Sequence, residues 1–531
     1  MKKYFLIIII CFSYLNLFSE KKPKLVVGIV VDQMRFDFIE RFWQDFGNNG
    51  FKKLINQGYF CRNTNYSYMP TYTGPGHASI FSGTTPSVHG IIANNWYDKK
   101  TKKSIYCAGD GKVHTICNCE DEMKDVGSNE GKMSPHHMLT TTIGDELQLF
   151  NTNNKVIGIS LKDRGAILSA GHSADAAYWM NSDGQWISSS FYMDSLPQWL
   201  VEYQNKINPS YYLKGKWNMK SSFDYDLDSL FAQKGGGAIK STPYGNTILK
   251  DLAIEIIDKE QLGRSQTTDF LTISFSSTDY IGHAYGPHSD EIKNTYIKLD
   301  KDIEDLIKKI ENKIGYENSL IFLTADHGVV SEPSELLKRK IPGGYYNKTQ
   351  IIKDLNEYLQ NQLNWPNKEW GVEFNYILNF SNYQIFLDKD LIKNNLGYEF
   401  IEKSRNLCAD YLLKYDWIKN TYTSTQLHNN EYNELPSSLV QKGYNQKRSG
   451  DIIINPQSGW ISYSWRQGGT THGSCFSYDT HVPLIFWGGN IKKGKTDRKI
   501  YIKDIAPTVS LLLGISYPNG STGNPIFEIT E

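Results

Sequence analysis

The chain has 531 residues, with 57 basic and 57 acidic side chains, so its formal net charge at pH 7 is zero. This balance provides no overall field that would attract nucleic acid or an anionic membrane, and no nucleic-acid partner is expected. The length permits a large buried core, and an aromatic content of 13% argues against disorder.

The amino terminus, MKKYFLIIIICFSYLNLFSE, has two lysines, an apolar run and then Ser19. This pattern predicts a signal peptide over residues 1–19 and delivery of the protein to the periplasm or the medium. The apolar run is short for a membrane span, so we expect no stable membrane association. The mature chain, residues 20–531, is expected to be a monomer.

Several short apolar runs end in a polar residue and lead into helical patterning. The predicted strands cover residues 24–31, 155–161, 270–275, 320–324 and 482–487, and two predicted helices cover residues 251–257 and 296–310. Buried strands that alternate with helices predict an α/β fold whose central, mostly parallel sheet is flanked by helices. Residues 96–138 read as a loop-rich excursion, and residues 331–461 as an inserted, cap-like subdomain.

Six cysteines follow the predicted signal peptide, and an even number suggests disulfides in an oxidising compartment: Cys61, Cys107, Cys117, Cys119, Cys408 and Cys475. The stretch Cys117-Asn118-Cys119 lies near His114 and superficially resembles a metal cluster. Its one-residue spacing differs from that of zinc-binding knuckles, so we predict a disulfide-bearing loop there.

Three aspartates, Asp32, Asp279 and Asp326, come at or just after the ends of predicted strands. Taken singly, each is readily explained as a helix N-cap. Ligands of doubly wound sheets bind at the carboxyl ends of the strands, so the predicted topology gathers these carboxylates in one place. Three histidines accompany these aspartates. His283 follows Asp279 in STDYIGHAYG, and His327 directly follows Asp326 in LTADHG. His472 stands in the polar, glycine-rich stretch GGTTHGS. Three carboxylates and three imidazoles suit two zinc ions.

The stretch TYTGPGHAS, residues 71–79, carries three hydroxyl side chains but no adjacent base. A threonine hydroxyl becomes nucleophilic when a base or a metal lowers its pKa, and a metal would supply what the stretch lacks. Thr73 is favoured because the following Gly-Pro-Gly lets the backbone bend around an anion, with a helix beginning at His77. Thr71 and Ser79 remain competitors, and a Pro-Gly turn with a capping threonine remains the structural alternative.

The ordered motifs VVDQMR, PTYTGPGHASIFSGTTPSVHGIIANNWYD, SLKDRGAIL, SSTDYIGHAYGP, TADHG and THGS extend over nearly the whole mature chain. In this order they resemble the alkaline phosphatase superfamily, specifically the monomeric, phosphate-irrepressible alkaline phosphatases that use a threonine nucleophile. The resemblance implies an alkaline-phosphatase-like fold and two zinc ions per chain. One zinc site is expected to comprise Asp32, Thr73, Asp326 and His327. The other is expected to comprise Asp279, His283 and His472.

The resemblance further implies that Asn94 donates to a phosphoryl oxygen, although the adjacent Asn95 leaves the assignment open by one position. Lys162 and Arg164 read as two side chains on one face of an extended segment, with Asp163 opposite. A solvated strand edge would have the same pattern. Within this site the pair suits the dianionic oxygens of a phosphate monoester. The remaining histidines are assigned to no metal: His77, His89, His136, His137, His172, His288 and His481.

These expectations describe a secreted, zinc-dependent alkaline phosphatase that hydrolyses phosphate monoesters through a covalent phosphothreonine at Thr73. The alternative is a phosphodiesterase or nucleotide pyrophosphatase of the same superfamily, in which an apolar pocket would replace Lys162 and Arg164. A sulfatase is disfavoured, because the nucleophile position has Thr-Gly-Pro-Gly-His instead of the C/S-x-P-x-R context. A catalytically idle zinc- or phosphate-binding protein would lack Thr73 or a ligand, and neither is lacking.

Overall fold

The computed structural model describes residues 22–118, 129–220, 222–365 and 375–530. Its central element is strand β1 (Leu25–Val31), whose seven residues are all buried. Parallel strands pair with β1 on both sides, β11 (Asp269–Phe275) on one and β12 (Ser319–Thr324) on the other. A strand covered on both faces must be apolar throughout, which explains the uninterrupted sequence LVVGIVV.

The central sheet has eleven strands. Ten of them follow one another in the order β20 (Gly494–Thr496), β2 (Tyr59–Asn65), β19 (His481–Gly488), β12, β1, β11, β6 (Val156–Ser160), β7 (Ala176–Met180), β8 (Trp186–Ser189) and β5 (Thr115–Ile116). The eleventh, β21 (Ile500–Tyr501), pairs with β2. The strands from β12 to β7 are parallel, whereas β19 runs antiparallel to both of its neighbours. The predicted α/β class with a mostly parallel sheet is therefore confirmed.

Helices cover the faces of the sheet and occupy the connections between its strands. The described α-helices are Asp37–Arg41, Phe51–Gln57, Thr73–Ser82, Pro86–His89, Ile143–Phe150, Asp163–Ala170, Gln198–Lys206, Pro209–Tyr212, Leu227–Lys234, Tyr244–Lys259, Ser277–Tyr285, Asp290–Lys313, Pro333–Lys338, Lys348–Leu363, Lys389–Leu396, Glu399–Leu412, Ser424–Asn429, Ser437–Gly443, Ser477–Thr480 and Ile505–Leu513. Among the described residues, none of these helices is both long enough and apolar enough to cross a bilayer.

A second sheet lies within the interval that the sequence assigns to an insertion. Its strands are antiparallel and follow the order β14 (Ile377–Ser381), β15 (Gln384–Leu387), β17 (Ile452–Pro456) and β16 (Ile418–Thr423). These strands and the neighbouring helices share a core cluster of their own, which includes Leu355 and Leu412. That residues 331–461 act as a cap stays a prediction, and the predicted signal peptide lies outside the described residues.

Smaller strand pairs complete the described structure. The excursion over residues 96–138 contains much of the hairpin formed by β3 (Asn95–Asp98) and β4 (Lys103–Tyr106). Two further pairs join β9 (Lys216–Met219) with β10 (Phe223–Asp226), and β13 (Gly344–Tyr346) with β18 (Trp460–Ser462).

The expectation of disulfides is wrong for four of the six cysteines, which are free thiols: Cys61, Cys107, Cys408 and Cys475. Cys61, Cys107 and Cys408 belong to three different core clusters, so they are held apart by packing. Cys475 Sγ instead donates to Asn455 Oδ1 at 3.1 Å. Cys117 is disulfide-bonded, and Cys119 lies outside the described residues.

These four thiols should resist alkylation in the native protein. Burial raises the pKa of Cys61 and of Cys107 to about 12 and that of Cys475 to about 11, and it also raises the pKa of Cys408, so little reactive thiolate forms. After unfolding without reductant, iodoacetamide should modify all four, as measured by peptide mass spectrometry. A disulfide-linked peptide pair that contains any of them would contradict the assignment.

Candidate active site

Three buried carboxylates meet at the carboxyl edge of the central sheet. Asp32 directly follows β1, and Asp326 lies two residues beyond the end of β12. Asp279 lies in the first turn of the helix Ser277–Tyr285, which follows β11. Because β1 pairs in parallel with both β11 and β12, the three strands deliver their acids to the same place.

The first metal-binding group consists of Asp279, His283 and His472, whose ligand atoms all lie within 4.8 Å of one another. His283 is one helical turn after Asp279, and its Nε2 is 3.1 Å from Asp279 Oδ1. His472 comes from a distant loop, and its Nε2 lies 3.8 Å from the same oxygen. The structure thus brings together all three residues that the sequence analysis assigns to one zinc site.

The second group consists of Asp32, Asp279 and His327. His327 Nε2 is 3.5 Å from Asp32 Oδ1 and 3.6 Å from Asp326 Oδ2, so Asp326 borders the same space. The sequence analysis assigns Asp279 to only one of the two zinc sites. In the structure, the Asp279 carboxylate belongs to both groups of metal-ligating side chains. The His327 and His472 rings stack with centroids 3.5 Å apart, so the two groups adjoin and one carboxylate can reach both.

The donor atoms in this site fit a metal ion. Asp32 Oδ1, Asp326 Oδ2 and His327 Nε2 are buried and have no hydrogen-bond partner among the described residues. Leaving such atoms unpaired costs about 1–3 kcal/mol each, and more for charged groups, so the site favours a ligand that satisfies them. Nitrogen and carboxylate donors in partly open shells are those that zinc accepts.

Backbone carbonyls orient the three imidazoles toward the site. The Nδ1 atoms of His283, His327 and His472 lie 2.7, 2.9 and 2.7 Å from the carbonyl oxygens of Thr470, Gly328 and Thr71. Donation from each Nδ1 leaves the Nε2 lone pair free to bind a cation. Burial lowers the pKa of His327 to about 3 and lowers that of His472 well below its usual range, which keeps both imidazoles neutral.

Lys162 is held between two of the carboxylates. Its Nζ lies 2.6 Å from Asp32 Oδ2 and 2.5 Å from Asp279 Oδ2. Burial opposes the ammonium charge, but Asp279 and Asp32 together raise the pKa of Lys162 above its ordinary value. Burial raises the pKa of Asp326 well above its usual range, and the nearby Asp32 charge adds to this.

The predicted extended segment through Lys162 and Arg164 is wrong, because a helix begins at Asp163 (Asp163–Ala170). Lys162 is the extended residue before this helix, and Arg164 lies in its first turn. The two side chains therefore diverge: Lys162 reaches the carboxylates, whereas Arg164 Nη1 donates to Tyr106 Oη at 3.1 Å. A short segment that ends one strand and begins a helix lacks the period that would distinguish the two conformations.

Thr73 is buried and is the first residue of the helix Thr73–Ser82. The helix was expected to begin at His77, after a Gly-Pro-Gly bend, so Gly74, Pro75 and Gly76 lie inside its first turn instead. Proline is tolerated there because the first backbone N–H groups of a helix have no partner within the helix. A Cβ added at Gly76 would lie 2.4 Å from the Asp326 carbonyl oxygen, so glycine permits the close approach of these two segments.

The competing hydroxyls are engaged elsewhere. Thr71 Oγ1 donates to the Ser474 carbonyl at 3.2 Å, and Ser79 Oγ lies 2.9 Å from His89 Nε2. Asn94 Oδ1 accepts a hydrogen bond from Gly74 N at 2.7 Å, which ties Asn94 to the residue after Thr73. The adjacent Asn95 is exposed and begins strand β3.

The sequence analysis missed three residues that hold this site in place. Gln33 Nε2 donates to Asp279 Oδ1 at 2.6 Å, and Gln33 N donates to Asp326 Oδ1 at 3.1 Å, so this one residue fixes two carboxylates. Tyr106 donates to Asp163 and accepts from Arg164. Asp479 Oδ2 accepts from Gly473 N, Ser474 N and Ser474 Oγ, next to His472. The adjacency of Gln33 to Asp32 was the one sequence signal available.

Comparisons with known proteins agree with this fold. The family model for type I phosphodiesterase / nucleotide pyrophosphatase matches residues 26–476. Alkaline phosphatase PhoV of Synechococcus elongatus is 39% identical, with 96% of this chain and 93% of that protein covered. A Myroides odoratus protein named calcium-transporting ATPase is also 39% identical, over 98% of this chain and 97% of its own length.

A crystal structure of alkaline phosphatase PafA superposes with a TM-score of 0.87 and 36% identity, covering 96% of this chain and 99% of that one. The fold and the paired carboxylate–imidazole groups therefore place the protein in the alkaline phosphatase superfamily, as its motifs predicted. Within that superfamily, the chain belongs to the type I phosphodiesterase / nucleotide pyrophosphatase family.

Since the Asp279 carboxylate reaches both groups, Asp279→Asn should weaken divalent-metal binding at both. His283→Gln should weaken mainly the group that contains His472. Metal content per chain, measured by plasma mass spectrometry after dialysis against zinc-containing buffer, should fall further in Asp279→Asn than in His283→Gln. His288→Gln is the matched control, because His288 Nε2 contacts Ser331 Oγ outside both groups. Unchanged metal content in Asp279→Asn would contradict the shared role.

Proposed function

We propose that the protein is a phosphoric monoester hydrolase of the alkaline phosphatase type. The observation that carries the proposal is the pair of carboxylate–imidazole groups at one sheet edge, which the helix that begins at Thr73 approaches where Gly76 packs against the Asp326 backbone. Relatives that are named alkaline phosphatases, and that match almost the entire chain, support the same activity.

Two zinc ions are proposed as the cofactor, with residues assigned as the motifs imply. The ligands proposed for the first are Asp32, Thr73, Asp326 and His327. The ligands proposed for the second are Asp279, His283 and His472, with the Asp279 carboxylate close enough to serve both. The two ions would lower the pKa of the Thr73 hydroxyl and of the hydrolytic water, and would neutralise charge on the leaving oxygen.

In the proposed reaction, the Thr73 oxygen attacks phosphorus while the ester P–O bond breaks and the alcohol departs. The resulting phosphothreonine is then attacked by water, and the bond between phosphorus and the Thr73 oxygen breaks. Each in-line displacement inverts the configuration at phosphorus, so the two successive displacements leave that configuration retained overall. The amino end of the helix Thr73–Ser82 stabilises the negative charge that accumulates next to Thr73.

Three polar side chains are proposed to hold the phosphoryl oxygens. The Asn94 carbonyl oxygen is already bonded to Gly74 N, so the Asn94 amide nitrogen remains as the donor. The Arg164 guanidinium is fixed through Tyr106, and its buried Nε has no hydrogen-bond partner among the described residues. Lys162 Nζ donates to the Asp32 and Asp279 carboxylates, which leaves one of its three N–H groups for a phosphate oxygen.

A phosphodiesterase or nucleotide pyrophosphatase is the second candidate, favoured by the name of the matching family model. A diester would place a second organic group where Arg164 and Lys162 lie, and it carries one negative charge fewer. Two cationic side chains therefore favour monoesters. We propose small phosphate monoesters as substrates and a location in the periplasm or the medium.

Thr73→Ala should reduce phosphatase activity by at least a thousandfold while bound zinc stays near the wild-type level, because six other proposed ligands remain. Turnover of an aryl phosphate and zinc content by mass spectrometry check the two halves of this expectation. Substantial activity in Thr73→Ala would show that another group is the nucleophile, and would leave the fold assignment intact.

Substitution of Lys162 and Arg164 distinguishes a phosphomonoesterase from a phosphodiesterase. The double variant Lys162→Ala/Arg164→Ala should lose at least a hundredfold in kcat/KM for an aryl monoester, since each charge-assisted hydrogen bond contributes about 1.5–3 kcal/mol. Its loss for the matched aryl diester should be less than tenfold.

Tyr106→Phe should cost the monoester roughly tenfold by releasing Arg164, about the value of one hydrogen bond. Tyr97→Phe, in the same hairpin, is its matched control. A wild-type protein that prefers the diester would overturn the monoesterase proposal.

A further inference from the structure

A cavity of about 300 Å³ opens at the amino edge of the central sheet. Lys24 directly precedes β1 and Thr268 directly precedes β11, and both residues line this cavity. Asp32 and Asp279 follow the opposite ends of the same two strands. Because the seven residues of β1 span about 20 Å, a molecule in the cavity does not reach the carboxylate cluster.

The floor of the cavity is apolar. Leu147, Leu513 and Ile515 line it, and all three are buried. They come from the helices Ile143–Phe150 and Ile505–Leu513 and from the turn that follows the second helix. Ligand sites in proteins have volumes of about 300–1,000 Å³ and mainly apolar linings with a few polar groups. This cavity therefore suits a small ligand with an apolar body.

Two lysines, Lys22 and Lys24, give the rim of the cavity a positive charge. None of the twelve residues that line the cavity is acidic, and neither lysine forms an ion pair within the described part of the chain. The Lys22 ammonium lies 4.8 Å from the centre of the Phe150 ring. It also lies near the carboxyl end of the helix Ile505–Leu513, because a Cβ built at Gly514 would be 3.0 Å from Lys22 Nζ. The rim thus offers two cations to a ligand.

Polar side chains of the wall are already bonded to the protein. Asn154 Nδ2 donates to the Leu147 carbonyl oxygen at 2.7 Å, and Thr268 Oγ1 donates to the Pro23 carbonyl oxygen at 2.6 Å. The two ammonium groups therefore remain as the main donors for a charged group of a ligand.

Phe150 adds an exposed apolar surface to the rim. Its side chain is 59% exposed and lines the cavity at the end of the helix Ile143–Phe150. The preceding residue, Leu149, is 72% exposed but does not line the cavity. These neighbouring apolar side chains differ in their contact with the cavity, so they supply a matched pair of variants.

We propose that this cavity binds a small anionic amphiphile, and that its ligand is a medium-chain fatty acid. The acyl chain lies against the apolar floor and the Phe150 ring, and the carboxylate lies next to the ammonium groups of Lys22 and Lys24. A lysine suits this position because its charge attracts an anion while its carbon stem covers apolar surface. The site is separate from the proposed catalytic centre, so the inference goes beyond the phosphomonoesterase function and does not depend on it.

The test is isothermal titration of the zinc-loaded protein with decanoate, below the concentration at which decanoate forms micelles. Inorganic phosphate is present throughout to occupy the active site. Decanoate should saturate one site per chain, whereas acetate, which lacks the chain, and decyltrimethylammonium, which reverses the charge, should not bind. Binding of decanoate should weaken as ionic strength rises, because the two lysines lie at the rim.

Substitutions locate the bound decanoate. The double variant Lys22→Gln/Lys24→Gln should raise the Kd for decanoate about tenfold, because it removes both charges from the rim. Lys206→Gln/Lys214→Gln, which removes two exposed lysines elsewhere, should keep the wild-type Kd.

The apolar part of the site is tested in the same titration. Phe150→Ala should raise the Kd for decanoate roughly fivefold through lost apolar contact, and Leu149→Ala should not change it. The melting temperature of each variant is measured to confirm that it is folded.

Three results would overturn the proposal: no saturable binding of decanoate, equal binding of decyltrimethylammonium, or an unchanged Kd in Lys22→Gln/Lys24→Gln. Competitive inhibition of aryl phosphate hydrolysis by decanoate, unaltered in the lysine and Phe150 variants, would place decanoate in the active site and also overturn it. A wild-type protein without phosphatase activity would refute the proposed function alone, since the titration requires no turnover.

Discussion

Mutual repulsion among three buried carboxylates is the constraint on which the rest of this site depends. Asp32, Asp279 and Asp326 are placed together by three adjacent parallel strands, and all three are buried. Burial raises the pKa of Asp32 and that of Asp326, and the neighbouring carboxylates raise them further. Such a cluster persists only where cations and hydrogen-bond donors offset its charge.

The surrounding residues supply that compensation in several forms. Burial also opposes the charge of Asp279, but His283 and Lys162 hold its pKa well below the usual range. Gln33 donates to Asp279 from its side chain and to Asp326 from its backbone, which fixes the spacing of the two acids. The donor atoms that remain unpaired, on Asp32, Asp326 and His327, are those that suit a metal. Compensation is therefore incomplete among the described residues, and this incompleteness is what makes the cluster a candidate metal site.

The same constraint explains why the outer parts of the site come from so many elements. A phosphoryl group needs positive charge and donors beyond those that Lys162 already gives to the carboxylates. Arg164 is separated from the cluster by its contact with Tyr106, which arrives on the β3–β4 hairpin. Trp465 arrives on a further segment, anchored to His283 through Thr470 and adjacent Gly469. The outer residues of the candidate site thus lie on excursions from the sheet, whereas its carboxylates lie at or just after the strand ends.

The sequence by itself predicted five strands of the eleven-stranded central sheet, its mostly parallel arrangement, and the carboxylates and imidazoles that meet at the sheet edge. These features are local or periodic: an apolar run such as LVVGIVV is a buried strand, and an aspartate after it stands at the strand end. Only the tertiary structure decided that the helix starts at Thr73, that Lys162 and Arg164 diverge, and that four cysteines stay unpaired. It also decided the contacts of Gln33 with Asp279 and Asp326 and of Tyr106 with Arg164. The contacts of Gln33 and Tyr106 and the packing of the cysteines join segments far apart in the chain, and such contacts leave no period or spacing in the sequence. The two helix starts lie in segments too short to show a period.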